Sequence, residues 1–138
     1  MVKDIRLGAF KFLNQSVERN EEFKGELKIT PNINIKNIEK FKAEGSKQES
    51  LKIDFKFEVD YNGLGKVSLE GRMYLIADSK IVKEAVDGWK DKKLDNEINL
   101  VILNVIMQKC SVKALELEED IGLPFHVQLP RLQLGKKE

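Results

Sequence analysis

The most regular pattern in the chain is an alternation of apolar and charged residues near its middle. Every second residue from Leu51 to Tyr61 is apolar, and charged residues occupy the positions between them. After the turn-forming residues 62–65, a second run is apolar or glycine at every second position from Val67 to Leu75. A period of two is typical of strands with one buried face, so the two runs predict a β-hairpin.

The charges on this hairpin predict its pairing register. If Val59 lies opposite Val67, then Asp54 lies opposite Arg72, whereas a shift of the pairing by two places like charges opposite each other. Directly opposed unlike charges contribute about 0.2–1 kcal/mol, and like charges cost similar amounts. We therefore expect the first register, with residues 62–64 as the loop.

The chain before the hairpin predicts further strands with less regular patterns. Ile33 and Ile35 alternate, and the change of parity at Ile38 indicates a bulge or bend. Residues 1–20 hold apolar side chains without a sustained period, which predicts one more strand there. The two ends of the chain, residues 1–20 and 131–138, are expected to be less ordered than the middle.

After the hairpin the apolar period changes from two to 3.6, which indicates helices. Asp78 or Ser79 is a suitable N-cap for a short helix that ends near Asp91. A longer helix is predicted to begin after Asp95 and to end at Gly122. About 27 residues in this helix would span roughly 40 Å.

These elements predict an α+β fold: an antiparallel sheet of about four strands in a meander, a short helix, one long C-terminal helix packed on the sheet, and an extended arm. No linker, repeat or low-complexity tract interrupts the sequence. We therefore expect a single domain over residues 1–138.

The long helix is apolar over more of its circumference than one contact surface needs. One apolar seam advances by steps of three and four through Leu100, Leu103, Met107, Cys110, Ala114, Leu117 and Ile121. A second apolar set is Ile98, Val101, Ile102, Val105 and Val112. We predict that this second set forms a homo-oligomer interface; the short helix or a client chain in a groove are the alternative covers.

The segment after the long helix is apolar and bracketed by prolines. Its apolar residues and prolines are Leu123, Pro124, Phe125, Val127, Leu129, Pro130, Leu132 and Leu134. Proline disfavours helices and central strands, so an extended arm is expected. Such an arm either packs over its own core or forms the rim of a surface that binds other chains.

Charge and cysteine content narrow the class of protein. Lys and Arg number 24 against 23 Asp and Glu, so no excess of positive charge favours binding of nucleic acid. The apolar run 98–107 is about half the length of a membrane-spanning helix, so no membrane insertion is expected. Cys110 is the only cysteine, which is consistent with a reducing, cytoplasmic location.

Few residues suit catalysis or metal binding. A catalytic dyad would need His126, the only histidine, to meet Cys110, yet Cys110 lies on the apolar seam of a helix. The acidic residues at 116 and 118–120 lack the spacing of a calcium site, and we interpret them as a solvated helix end. We therefore predict no enzyme, no catalytic residues, no metal and no cofactor.

The order of elements resembles the SecB family of export chaperones. The matching pieces are residues 71–76 (Gly-Arg-Met-Tyr-Leu-Ile) at the end of the last strand, the long helix over 95–121, and residues 122–130, which run from a glycine through Leu-Pro to a second Leu-Pro. The chain resembles a divergent member without the family's final helix.

This resemblance implies an ATP-independent holdase that binds unfolded polypeptides or preproteins in protein export, as a homo-oligomer of two or four chains. The polypeptide-binding candidates that it implies are Tyr74, Leu123, Phe125, Val127, Leu129, Leu132 and Leu134. The alternative is a small scaffold or adaptor subunit that binds one folded partner through the same apolar surface.

Overall fold

The protein forms one four-stranded sheet followed by two helices. The computed structural model describes residues 5–22, 25–42, 44–45 and 49–127. Its elements are β1 (Arg6–Arg19), β2 (Thr30–Lys42), β3 (Glu49–Asp60), β4 (Gly65–Ile76), α1 (Ser79–Lys90) and α2 (Asn96–Ile121). The α+β class, with an antiparallel sheet and a long last helix, is confirmed.

The strand order differs from the predicted meander. The sheet has the order β1-β4-β3-β2, with all pairs antiparallel. The strands β2, β3 and β4 follow one another as a meander does, whereas β1 lies beside β4, which gives a Greek-key order. The two strands with strict alternation, β3 and β4, are the central pair, and every second residue of their main runs is buried on the face that packs against the helices.

The β3–β4 hairpin has the predicted register. Val59 lies opposite Val67 and Asp54 lies opposite Arg72. The Arg72 guanidinium donates to both oxygens of Asp54, at 2.7 and 3.4 Å. The charge pattern on this face therefore predicted the pairing of the central strands correctly.

The strand β1 lies within the stretch that was expected to be less ordered. It pairs with β4 along its length, and its register shifts at residues 7–9 and again at 12–14. Each shift changes whether even-numbered or odd-numbered residues of β1 pack on the core. Before the second shift Phe10 packs on the core, and after it Val17 does. These two shifts explain why residues 1–20 show no sustained period. A similar shift between Ile35 and Asn37 in β2 confirms the bulge predicted near Ile38.

Both helices begin and end close to the predicted residues. The Asp78 side chain accepts from the backbone N–H of Ile81 at the start of α1. Asp95 accepts from two N–H groups at the start of α2, and Gly122 ends that helix with a left-handed φ of 72°. The caps were predictable because they depend on local sequence.

The side of α2 that faces the sheet was predicted correctly only for the second half of the helix, where Cys110 and Ala114 of the predicted seam are buried. Its buried residues are four apart: Ile98, Ile102, Ile106, Cys110, Ala114 and Glu118. Ile98 and Ile102, predicted for a subunit interface, are fully buried against this chain's own core, whereas Leu100 of the predicted core seam is exposed. Residues four apart form a ridge inclined to the helix axis, so the contact line moves round the helix by about 40° per step.

Candidate functional site

The structure does not bring Tyr74 together with the arm. Tyr74 lies on the sheet face away from the helices, between the core residues Met73 and Leu75, and its ring packs against Phe41 with 4.9 Å between centroids. Leu123 is part of the core on the opposite face. The predicted polypeptide-binding set is therefore divided between two surfaces.

The described part of the arm has a buried and an exposed side. Leu123 is buried, whereas Phe125 and Val127 are 40% and 38% exposed. The predicted residues Leu129, Leu132 and Leu134 lie outside the described residues. The arm thus contributes to the core and also presents apolar surface.

A buried polar network fixes the arm at His126. The His126 ring is completely buried, and its Nδ1 lies 3.0 Å from each oxygen of the equally buried Glu118 carboxyl. The backbone N–H of His126 donates to the same carboxyl, at 3.2 Å, and so does the hydroxyl of buried Tyr61. Nε2 of the ring lies 3.2 Å from the Ser111 hydroxyl.

Burial raises the pKa of the Glu118 carboxyl, while the hydrogen bonds from His126 act in the opposite direction. The prediction that Glu118 belongs to a solvated helix end is wrong, because its side chain is completely buried. The signal that could have located Glu118 is its spacing: it follows Ala114 by four residues, and the buried residues of α2 recur at intervals of four. The network is a structural connection between β3, α2 and the arm.

The cysteine–histidine dyad does not form. Both ring nitrogens of His126 lie against Glu118 and Ser111. Burial raises the pKa of the Cys110 thiol to about 12, so it stays protonated and unreactive. Among the described residues, no group of three or more His, Cys, Asp or Glu side chains is placed to hold a metal ion.

The outer face of α2 is uncovered and mixes apolar with uncharged polar residues, because Asn104 and Gln108 are exposed on it as well as Leu100 and Val112. Leu100 is 59% and Val112 69% exposed, and Val101 and Val105 are half-buried. The helix α1 packs against β2 and β3 and leaves this face uncovered. By length and composition alone α2 would also qualify as a membrane-spanning helix, a property that core helices of soluble proteins share.

A groove of about 820 Å³ lies between β2, the end of α1 and the start of α2. We call it the β2 groove. Its apolar lining residues are Ile38, Val86, Trp89 and Leu94, and its charged ones are Glu39, Lys40, Lys90 and Lys92. The sequence marked Ile38 and Trp89 only as members of regular elements, because the groove joins three segments that are distant along the chain.

The β2 groove runs along a free strand edge. Four consecutive β2 residues, Asn37 to Lys40, contribute to its lining. Among the residues that the structure describes, β2 pairs only with β3, so half of its backbone hydrogen-bonding groups face away from the sheet. Apolar side chains and unpaired backbone groups therefore lie side by side.

Comparison with known proteins identifies the fold. The structure is similar to that of the Mycobacterium tuberculosis Rv1957 SecB-like chaperone, solved in complex with a ChAD peptide from Rv1956 HigA1 antitoxin. The TM-score is 0.50 at 8% sequence identity, over 96% of this chain and 93% of that one. No protein-family model matches the chain, and no curated protein matches its sequence. The chain therefore has a divergent SecB-like fold, as the order of its elements predicted.

Proposed function

We propose that this protein is a cytoplasmic, ATP-independent chaperone of the holdase type, which binds unfolded polypeptides and preproteins in the β2 groove. The observation that carries the proposal is the position of this apolar groove along the free edge of β2. An unfolded segment offers both apolar side chains and unpaired backbone amides, and the groove complements both.

The proposed binding mode is strand addition. An extended client segment pairs with the outer backbone groups of β2, while alternate side chains contact Ile38, Trp89 and Leu94. Main-chain hydrogen bonds do not depend on the client's side chains, so many sequences are accepted. This combination suits a protein that holds unrelated unfolded chains.

The structural neighbour supports this proposal. The protein with the similar fold is a chaperone, and it was solved with a peptide bound. The present chain shares its fold at 8% sequence identity, so the groove residues are inferred from this chain's own structure. The arm, through Phe125 and Val127, is proposed as a second apolar contact for clients.

We further propose that two copies of the chain associate through the outer face of α2. No charged residue occurs between Ile98 and Gln108, so this part of two identical faces meets without charge repulsion. Val112 lies between Lys109 and Lys113, and Lys113 is paired with Glu116. Leu100, Val101, Val105 and Val112 would supply the apolar contacts.

An aggregation assay tests the proposal. Stoichiometric protein without ATP should suppress aggregation of two unrelated unfolded clients, and Leu94→Ser in the groove should weaken this suppression. Leu13→Ser is the matched control, because Leu13 is an exposed apolar residue of β1 outside the groove. Failure to suppress either client would overturn the proposal, and tight binding of one folded partner alone would favour the scaffold or adaptor.

A further inference from the structure

The charges of the β2 groove are unequally neutralised. Lys40 forms an ion pair with Glu49 at 3.0 Å, and Glu39 forms one with Lys52 at 3.1 Å. Each of these groove charges is therefore balanced by a strand residue. The two remaining charged residues of the groove are Lys90, the last residue of α1, and Lys92, which lies in the connection between α1 and α2.

Lys90 and Lys92 are exposed, and neither ammonium group has an ion-pair or hydrogen-bond partner among the described residues. Lys90 lies in the last turn of α1, where a positive charge also complements the helix dipole. Lys92 has a left-handed backbone with a φ of 57°, a conformation that favours glycine. The chain as a whole has a net charge of only +1, so this positive end of the groove is a local feature.

We infer that the β2 groove selects apolar polypeptide segments flanked by acidic residues, whose carboxylates lie against Lys90 and Lys92. The inference rests on the proposed function, since it defines which segments the same groove prefers. Apolar contacts with Trp89 and Leu94 hold the core of the segment, and the charges distinguish one flank from another. A segment with a basic flank is disfavoured by the same two ammonium groups.

Three labelled peptides test this preference. They share one extended apolar core and carry two Glu, two Ser or two Lys residues at each end. Fluorescence anisotropy should give the acidic peptide a dissociation constant about three- to tenfold lower than that of the neutral one, and the basic peptide the highest value. The differences should shrink between about 0.02 M and about 0.3 M salt, because exposed charges are screened.

Variants of the two lysines locate the effect. The double variant Lys90→Gln, Lys92→Gln should bind all three peptides with the affinity that the wild-type protein has for the neutral peptide. The matched control is Lys11→Gln with Lys109→Gln, two exposed lysines outside the groove, which should keep the preference. Lys92→Gly should lower the preference without lowering the melting temperature, because the backbone at this residue suits glycine.

The outcomes separate the two proposals. If the wild-type protein binds all three peptides equally, the charge preference is overturned and the holdase proposal stands. If it binds none of them, both are overturned. If the preference survives in the double variant, its assignment to Lys90 and Lys92 is wrong.

Discussion

Nδ1 of His126 lies 3.0 Å from each carboxyl oxygen of Glu118, and both side chains are completely buried. Tyr61, the residue directly after β3, donates its hydroxyl to the same carboxyl. One buried carboxyl thus connects the sheet, the long helix and the arm. The position of the apolar residues beside His126 depends on this connection.

Replacing Glu118 by alanine should destabilise the protein strongly. The change leaves the Tyr61 hydroxyl and the His126 backbone N–H buried without an acceptor, which costs about 2–4 kcal/mol in the free energy of unfolding. Urea unfolding measures this cost. The control is Glu119→Ala at the neighbouring exposed residue, which should change the free energy by less than about 0.5 kcal/mol. Equal effects of the two substitutions would contradict the assigned role of Glu118.

Glu118 should also make stability depend on pH. Burial raises the pKa of its carboxyl above the value of 4.5 expected when it is exposed, so over the window just above 4.5 the folded state keeps a proton that the unfolded state releases. The free energy of unfolding therefore falls as the pH rises through this window. Glu118→Gln keeps an oxygen acceptor and cannot titrate, so the stability of the wild type relative to this variant should fall with rising pH. Urea midpoints between about pH 4 and 8 measure the difference, and a constant or rising difference would show the sign to be wrong.

Gly71 should not tolerate a side chain. A Cβ atom there would lie 2.5 Å from Cζ of Phe55 and 2.8 Å from the carbonyl oxygen of Lys11. Gly71→Ala should therefore cost about 1–3 kcal/mol in the free energy of unfolding, measured in urea. Ser68→Ala in the same strand is the control, and a Gly71→Ala cost no larger than that of Ser68→Ala would contradict the close packing of β1 on β4.

The Cys110 thiol should react only after unfolding. It is fully buried, and its pKa is raised to about 12, so almost no thiolate exists near neutral pH. A thiol reagent should label it in native buffer at less than about a hundredth of its rate in denaturant. Labelling at comparable rates under both conditions would mean that the α2 contact with the sheet opens readily.

The local parts of the fold were predictable from sequence, and the choice between alternative packings was not. The β3–β4 register depends on neighbouring charges such as Asp54 and Arg72, and the helix ends depend on caps such as Asp95. The first half of α2 is apolar on both sides, so its periodicity could not decide whether Ile98 or Leu100 faces the sheet. That choice depends on the tertiary fit of the helix to the sheet.

The candidate site was less predictable than the fold. The β2 groove brings Ile38 beside Trp89 and Leu94, which are about fifty residues further along the chain. Glu118 was misinterpreted because it stands among acidic residues that are exposed, such as Glu119 and Asp120. The residues next to a helical position in the sequence point to all sides of the helix. Burial depends only on the side to which the residue itself points.

The outer face of α2 should be the contact through which two chains associate. If two chains associate there, Leu100→Glu combined with Val112→Glu places four carboxylates in the interface and should reduce the particle mass in light scattering to that of one 15.9 kDa chain. Both residues are well exposed in the single chain, so the melting temperature of the dissociated protein should stay close to that of a wild-type monomer at high dilution. Leu13→Glu, on the edge strand β1, is the control and should leave the mass unchanged. A mass that falls with Leu13→Glu and not with the α2 variant would place the contact at β1 and overturn the α2 interface, because a carboxylate disrupts only the apolar surface that it enters.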